Sequence, residues 1–333
     1  MILVYRSNKV VFTDIDGTLV DINTAEYGKN TRRLIDLLKE KNIPLILTSA
    51  KTRLEQNMVR KDLGLTDPYI IENGGAVVIP KGYFSDSALR DIEYPLREME
   101  EVENEGAYTN DEKRRNLAYS EQSSTIHDNR TRTTKKTSKI MVMELGESAD
   151  SIRTKLSYIR KKYDINFKGV EDFSIEELSN LVSISKEQAK RMAQRKYGET
   201  ILQIQRNDIS RFFKYVKAEG MKVIYGGRFF DVTIGTDKGL AVELLKRLFN
   251  NKLHNDVTFF GIGDSANDVP MLNLLDVPIL VQRPNSSWLN NEEMKIKTES
   301  DSVGIDFARI IKVEGVGPNG WENAINKIIL ESN

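Results

Sequence analysis

The chain has 333 residues, in which 49 lysines and arginines balance 49 aspartates and glutamates, with two histidines and no cysteine. Zero formal net charge supplies no global basic field for a nucleic-acid backbone or an anionic membrane. The missing cysteines exclude disulfides, thiolate metal sites and thiol catalysis, while an apolar content of 39% suits a globular core of one large or two ordinary domains.

His127 and His254 both lie in polar stretches and read as surface residues, which leaves catalysis to carboxylates. The apolar stretch Met1–Tyr5 is too short for a secretory signal. No run approaches the roughly 20 apolar residues of a membrane span, so the expected location is the cytoplasm.

In chain order, Lys9–Thr13 is a short apolar run rich in β-branched residues and predicts a buried strand, with Asp14 just past its end. Asn30–Lys41 carries Leu34, Leu37 and Leu38 at helical spacing and is stopped by Asn42 and Pro44. A second strand follows at Leu45–Thr48, then a helix over Thr52–Leu63 with Gly64 at its C-terminus, then a strand at Tyr69–Ile71. This βαβαβ order predicts a parallel sheet with right-handed crossovers, and such sheets gather ligands at the carboxyl ends of their strands. Asp14 and Ser49 both stand at such ends.

From about residue 82 to 232 the texture changes, with a strand at Ile140–Leu145 and helices at Ser151–Tyr163 and Lys186–Lys196. Within it, Glu98–Ser138 is charged and poor in large aliphatics, and predicts a long loop or mobile excursion. The strand–helix alternation then returns: a helix over Gly239–Phe249, a strand at Val257–Ile262, a helix at Val269–Leu275 and a strand at Val277–Val281. The expected fold is therefore α/β, a Rossmann-like parallel-sheet core of residues 1–81 and 233–333 with an inserted α/β domain at 82–232.

An Asp-x-Asp-Gly run such as Asp14–Gly17 also opens calcium loops and ordinary turns. A calcium loop of the EF-hand kind fails, because Leu19 and Ala25 stand where glycine and glutamate are required; a plain turn stays open on these residues alone. Three further segments change the balance: Thr48–Lys51 after the second strand, Asp237–Gly239 at a helix start, and Gly263–Asp268 after another strand. In one parallel sheet all four converge on a single crevice. Phosphoryl transfer needs a nucleophile, cations around the equatorial oxygens, hydrogen-bond donors and an acid for the leaving oxygen. Asp14 would attack phosphorus, and Asp16 would protonate the leaving oxygen and then activate water. Closely spaced carboxylates require a cation between them, and Mg²⁺ held by Asp14, Asp264 and the Asp16 carbonyl, with Asp268 as a further ligand, would supply it. Lys238 and Ser49 would hold the phosphoryl oxygens, with Asn267 orienting the lysine or the phosphate. The plainer readings are a solvated helix-start lysine for Lys238 and a helix N-cap for Ser49.

The segments DIDGTLV, LTSAK, DKG and GIGDSANDVPML, in this order, resemble the four motifs of the haloacid dehalogenase superfamily. The insertion resembles the α/β cap of its sugar-phosphatase branch, and an aspartate at position 16 fits its phosphatases and mutases. Four more segments resemble the mannosyl-3-phosphoglycerate phosphatase family: Ile70–Gly75, Arg195–Glu199, Gly226–Phe230 and Gly315–Trp321. That resemblance implies a phosphorylated sugar as the small-molecule partner, with Lys51, Gly74, Arg195, Glu199 and Arg228 at its binding site. It also leaves alternatives: a glucosyl-3-phosphoglycerate or sucrose-phosphate phosphatase, a sugar phosphomutase, or a non-catalytic sugar-phosphate sensor.

Overall fold

The buried run Val10-Val11-Phe12-Thr13 needs apolar cover on both faces, and the architecture supplies it. In the computed structural model, which describes residues 8–103, 136–226, 228–289 and 308–330, this run lies in β1 (Asn8–Thr13). His127 and most of the Glu98–Ser138 stretch fall outside the described residues. After β1 come α1 (Thr31–Glu40), β2 (Leu45–Leu47), α2 (Arg53–Leu63), β3 (Tyr69–Ile71), β4 (Ala76–Pro80), α3 (Asp86–Arg90), β5 (Leu96–Glu103) and β6 (Lys136–Glu144). Next are α4 (Ala149–Tyr163), β7 (Phe167–Gly169), α5 (Ile175–Val182), α6 (Lys186–Met192), β8 (Glu199–Ile204), α7 (Ile209–Ala218), β9 (Lys222–Tyr225) and β10 (Phe230–Thr233). The chain then continues through α8 (Lys238–Lys252), β11 (Val257–Gly263), α9 (Val269–Leu274), β12 (Val277–Gln282), β13 (Ile311–Val316) and α10 (Pro318–Leu330).

The main sheet is parallel, in the order β13-β12-β11-β1-β2. Alternate residues of β1 face opposite sides. Val11 joins Leu34, Ile35 and Leu38 of α1 and Trp321, Ala324 and Ile325 of α10. Val10 and Phe12 join Ala241, Val242 and Leu245 of α8 and Met271 and Leu272 of α9. The expected α/β fold is therefore present, with helices on both faces.

Two expectations are corrected. Ile70 of β3 meets the main sheet through one parallel bridge to Thr48, but β3 pairs antiparallel with β4, because the chain reverses through Glu72 and Asn73, both at positive φ. Residues 98–103 and 136–138 are strand rather than loop. β5 pairs with β6 over eight residue pairs, and Glu98 is neutralised by Lys81 and Lys139 at 2.8 and 3.0 Å. The resulting sheet β3-β4-β6-β5 straddles the expected boundary at residue 82, and its Ile140, Val142 and Met143 join the two core clusters. A separate sheet, β7-β8-β10-β9, has its own core of Ile152, Leu156, Phe167, Ile201, Phe212 and Val232, with α4 and α7 packed on it. We call this body the cap. Among the described residues no helix is long and apolar enough to cross a membrane.

Candidate active site

Each carboxylate of the site stands where a strand of the main sheet ends. Asp14 follows β1, and its amide donates to the Ile262 carbonyl of β11 at 2.9 Å. Asp264 and Asp268 follow β11, and oxygens of Asp14, Asp264 and Asp268 lie within 4.8 Å of one another. All three residues are buried. Lys238 opens α8, where the helix dipole disfavours a cation. Its Nζ lies 2.6 Å from Asp14 Oδ1 and 2.6 Å from Asp268 Oδ1, a contact that accounts for its burial. The N-cap of α8 is Asp237, whose side chain accepts from the Leu240 amide at 3.1 Å.

Burial, with Asp268 and Asp16 adding to it and Lys238 opposing it, pushes the Asp14 carboxyl up to about 7. Burial and the neighbouring Asp268 and Asp14 hold Asp264 well above the usual carboxylate range. Burial works against the charged Lys238 amine, but Asp14 and Asp268 more than offset it and hold its pKa above the ordinary lysine value. Three buried carboxylates around one ammonium are short of positive charge. A hard divalent cation fits that deficit and this all-oxygen donor set. Asp264 is placed for it: the Thr18 hydroxyl donates to its Oδ1 at 3.4 Å, and a Cβ on Gly17 would come within 2.9 Å of its Oδ2. Asp268 has other contacts. Its Oδ1 takes Lys238, while its Oδ2 accepts from the Asp264 and Ser265 amides, each at 3.1 Å.

The carboxylate of Asp16 stands apart from this triad, partly exposed and paired with Lys51 Nζ at 2.8 Å. Ser49 is buried at the end of the second strand segment, and its hydroxyl accepts from the Lys51 amide at 3.2 Å. It does not cap α2; Thr52 does, in a capping box with Glu55. Asn267 Nδ2 faces Asn73 Oδ1 at 3.5 Å. Gly74 packs on the lysine segment: a Cβ there would lie 2.0 Å from the Asp237 carbonyl oxygen, and its φ is +95°.

Of the cap residues, Arg195 reaches the core and donates to the Ala50 carbonyl at 2.9 Å. Glu199 turns into the cap instead, accepting from Arg153 Nε at 2.7 Å and the Glu171 amide at 3.3 Å. Arg228 is exposed, beside the Val182 carbonyl at 3.5 Å and over the ring of Phe229. His254 lies with Arg247 and Asn250 at the end of α8, away from the triad. Sequence reasoning gave no role to Asp231 or Glu72. Asp231 accepts from Asn73 Nδ2 at 2.9 Å and from the Thr200 hydroxyl at 2.5 Å, with Arg195 at 3.5 Å. Glu72 accepts from the Lys196 and Tyr197 amides at 3.0 and 2.8 Å, so two buried carboxylates join cap to core. The αL-tolerant Asn73-Gly74 pair marked this reversal in the sequence. No local pattern marked Glu72.

Residues 11–305 match the family described as haloacid dehalogenase-like hydrolase. A glucosyl-3-phosphoglycerate/mannosyl-3-phosphoglycerate phosphatase of Methanococcoides burtonii is 32% identical over 325 residues, covering 97% of this chain and 98% of that one. A protein of the same name from Persephonella marina is 29% identical, covering 97% of each chain. A mannosyl-3-phosphoglycerate phosphatase of Pyrococcus furiosus is 28% identical over 274 residues, which is 82% of this chain and 90% of that one. Among solved structures, a subclass IIB sugar phosphatase of the superfamily shares the fold at a TM-score of 0.54 and 14% identity, over 97% of this chain and 98% of that one. The chain belongs to the haloacid dehalogenase-like hydrolase family, and within it to the phosphoric monoester hydrolases.

Proposed function

We propose that the chain is a Mg²⁺-dependent phosphatase of hexosyl-3-phosphoglycerates, glucosyl or mannosyl, acting in the cytoplasm through an aspartyl-phosphate on Asp14. The observation that carries the reading is the buried Asp14, Asp264 and Asp268 triad with Lys238 between two of its members. The two relatives matched over nearly their whole length carry both substrates in their names.

Asp14 and Asp264 would hold Mg²⁺, which when bound neutralises the carboxylates and draws electron density from the phosphoryl oxygens. Lys238 favours the ionised form of the Asp14 oxygen and holds it in place for attack. An Asp14 carboxylate oxygen attacks phosphorus, and the bond to the glycerate oxygen breaks. Asp16 gives its proton to that leaving oxygen, then takes a proton from the water that cleaves the acyl phosphate, restoring Asp14 and releasing phosphate. Ser49 donates to a phosphoryl oxygen. Lys51 and Arg195, on the cap side of the same strand ends, suit the glycerate carboxylate. The cap excludes bulk water during transfer.

The test is phosphate release from glucosyl- and mannosyl-3-phosphoglycerate with Mg²⁺ and with EDTA. Release that requires Mg²⁺ supports the reading. Saturable binding without release would favour a sensor, and isomerisation of hexose phosphates without release would favour a mutase.

A further inference from the structure

The Gly315–Trp321 segment is built tightly. The Gly315 amide donates to Gln282 Oε1 at 2.7 Å, the Gly317 amide to the Gln282 carbonyl at 3.2 Å, and the Trp321 amide to the Gly317 carbonyl at 3.0 Å. Gly315 and Gly320 lie backbone to backbone: a Cβ on Gly320 would stand 2.3 Å from the Gly315 carbonyl oxygen.

This turn meets the segment bearing Asp14 and Asp16 through Trp321. The indole of the fully buried Trp321 donates through Nε1 to Thr13 Oγ1 at 3.1 Å, and the Thr13 hydroxyl donates to the Asp14 carbonyl oxygen at 2.9 Å. An indole N–H can only donate, so it commits the Thr13 hydroxyl to donating onward; the chain has one direction. Gly317, at φ +52°, lies beside the turn that follows Asp16, with room for a Cβ at 3.7 Å from the Gly17 carbonyl oxygen. The Asp14 amide is already held by Ile262. The Thr13 hydroxyl holds the carbonyl end of the same residue, so hydrogen bonds fix its backbone at both ends.

We infer that Trp321, acting through Thr13, is a positioning residue that aims the Asp14 carboxylate. The inference rests on the reading of Asp14 as nucleophile. It predicts a kcat effect with little change in KM, because the hydrogen-bond chain ends on the backbone of the attacking residue rather than on the ligand's distal parts.

The test compares Thr13→Val, Thr13→Ser, Trp321→Phe and the Thr13→Val/Trp321→Phe double variant with the parent, assayed below their melting temperatures. Thr13→Val and Trp321→Phe are expected to lower kcat about tenfold or more. The double variant should lose no more than the worse single one, while Thr13→Ser stays near the parent. A second readout does not need turnover. With Trp288→Phe, Trp321 is the one remaining tryptophan, and its emission should change when Mg²⁺ and fluoroberyllate, a mimic of the acyl phosphate, are added. Thr13→Val should abolish that change. An active parent whose Trp321→Phe and Thr13→Val variants keep full kcat, or lose it additively, overturns the inference; so does emission that ignores fluoroberyllate. A parent that releases no phosphate overturns the nucleophile reading instead, and the emission change on Mg²⁺ binding then decides the coupling alone.

Discussion

Lys238 shows how residue-level chemistry overrides a local preference. A lysine at a helix start opposes the dipole, and burial costs more still, so its position is sustained by Asp14 and Asp268 at 2.6 Å each. Lys238→Ala leaves those carboxylates without that partner and should lower phosphate release at least 100-fold while Mg²⁺ still binds, as isothermal titration would show. Asp14 supplies the pH dependence. Its folded carboxyl titrates near 7, above the ordinary 3.8, so the metal-free folded state binds the extra proton and loses stability as pH rises through that window. Mg²⁺ bound at the site, as proposed above, would compete with that proton and reverse the loss. The rise in melting temperature on adding Mg²⁺ should therefore be larger at pH 8 than at pH 5. The residues of this triad were legible because each follows a recognisable strand or opens a recognisable helix. Glu199 and Arg228 were not, since nothing local foretells that Arg153, on another element, takes the Glu199 carboxylate.

At the scale of elements, the helices and parallel strands follow from hydrophobic spacing, but their termini draw on distant residues. The sequence places a helix start at Asn30; in the fold the α1 terminus is held by Glu322 of α10, which accepts from the Asn30 amide at 2.7 Å and the Thr31 hydroxyl at 3.1 Å. No spacing rule reaches across 292 residues. The charged strand β5 was equally hidden, because its acidic residues are answered by Arg53, Lys81 and Lys139 rather than by an apolar alternation. Gly74 is the element-scale residue most open to test. Alanine there would have to hold φ +95° and push its Cβ into the Asp237 carbonyl, one residue before Lys238. Gly74→Ala should cost about 2 kcal/mol or more in urea unfolding, and should lower kcat by displacing the lysine.

For the whole molecule, the junction of cap and core is polar and buried. Asp231 on β10 links Asn73 and Arg195, and Glu72 holds the backbone of the segment that carries Arg195. Removing one partner of such a network strands the others without water. Asp231→Ala should cost about 3 kcal/mol in urea unfolding and raise KM through Arg195. The sheet β7-β8-β10-β9 lies within the stretch where the sequence texture changes, whereas the mixed sheet beside it was not legible, because β4 and β6 pair across a long stretch of intervening chain. The central claim for the whole assembly is that Asp14 carries the phosphoryl group. Mass analysis of peptides from enzyme acid-quenched during turnover of a hexosyl-3-phosphoglycerate tests it most directly. A phosphoryl adduct is expected on the peptide containing Asp14 and is absent in Asp14→Asn, which releases no phosphate; an Asp14→Asn variant that still hydrolyses the substrate, or turnover with no adduct on that peptide, would rule out Asp14 as the nucleophile.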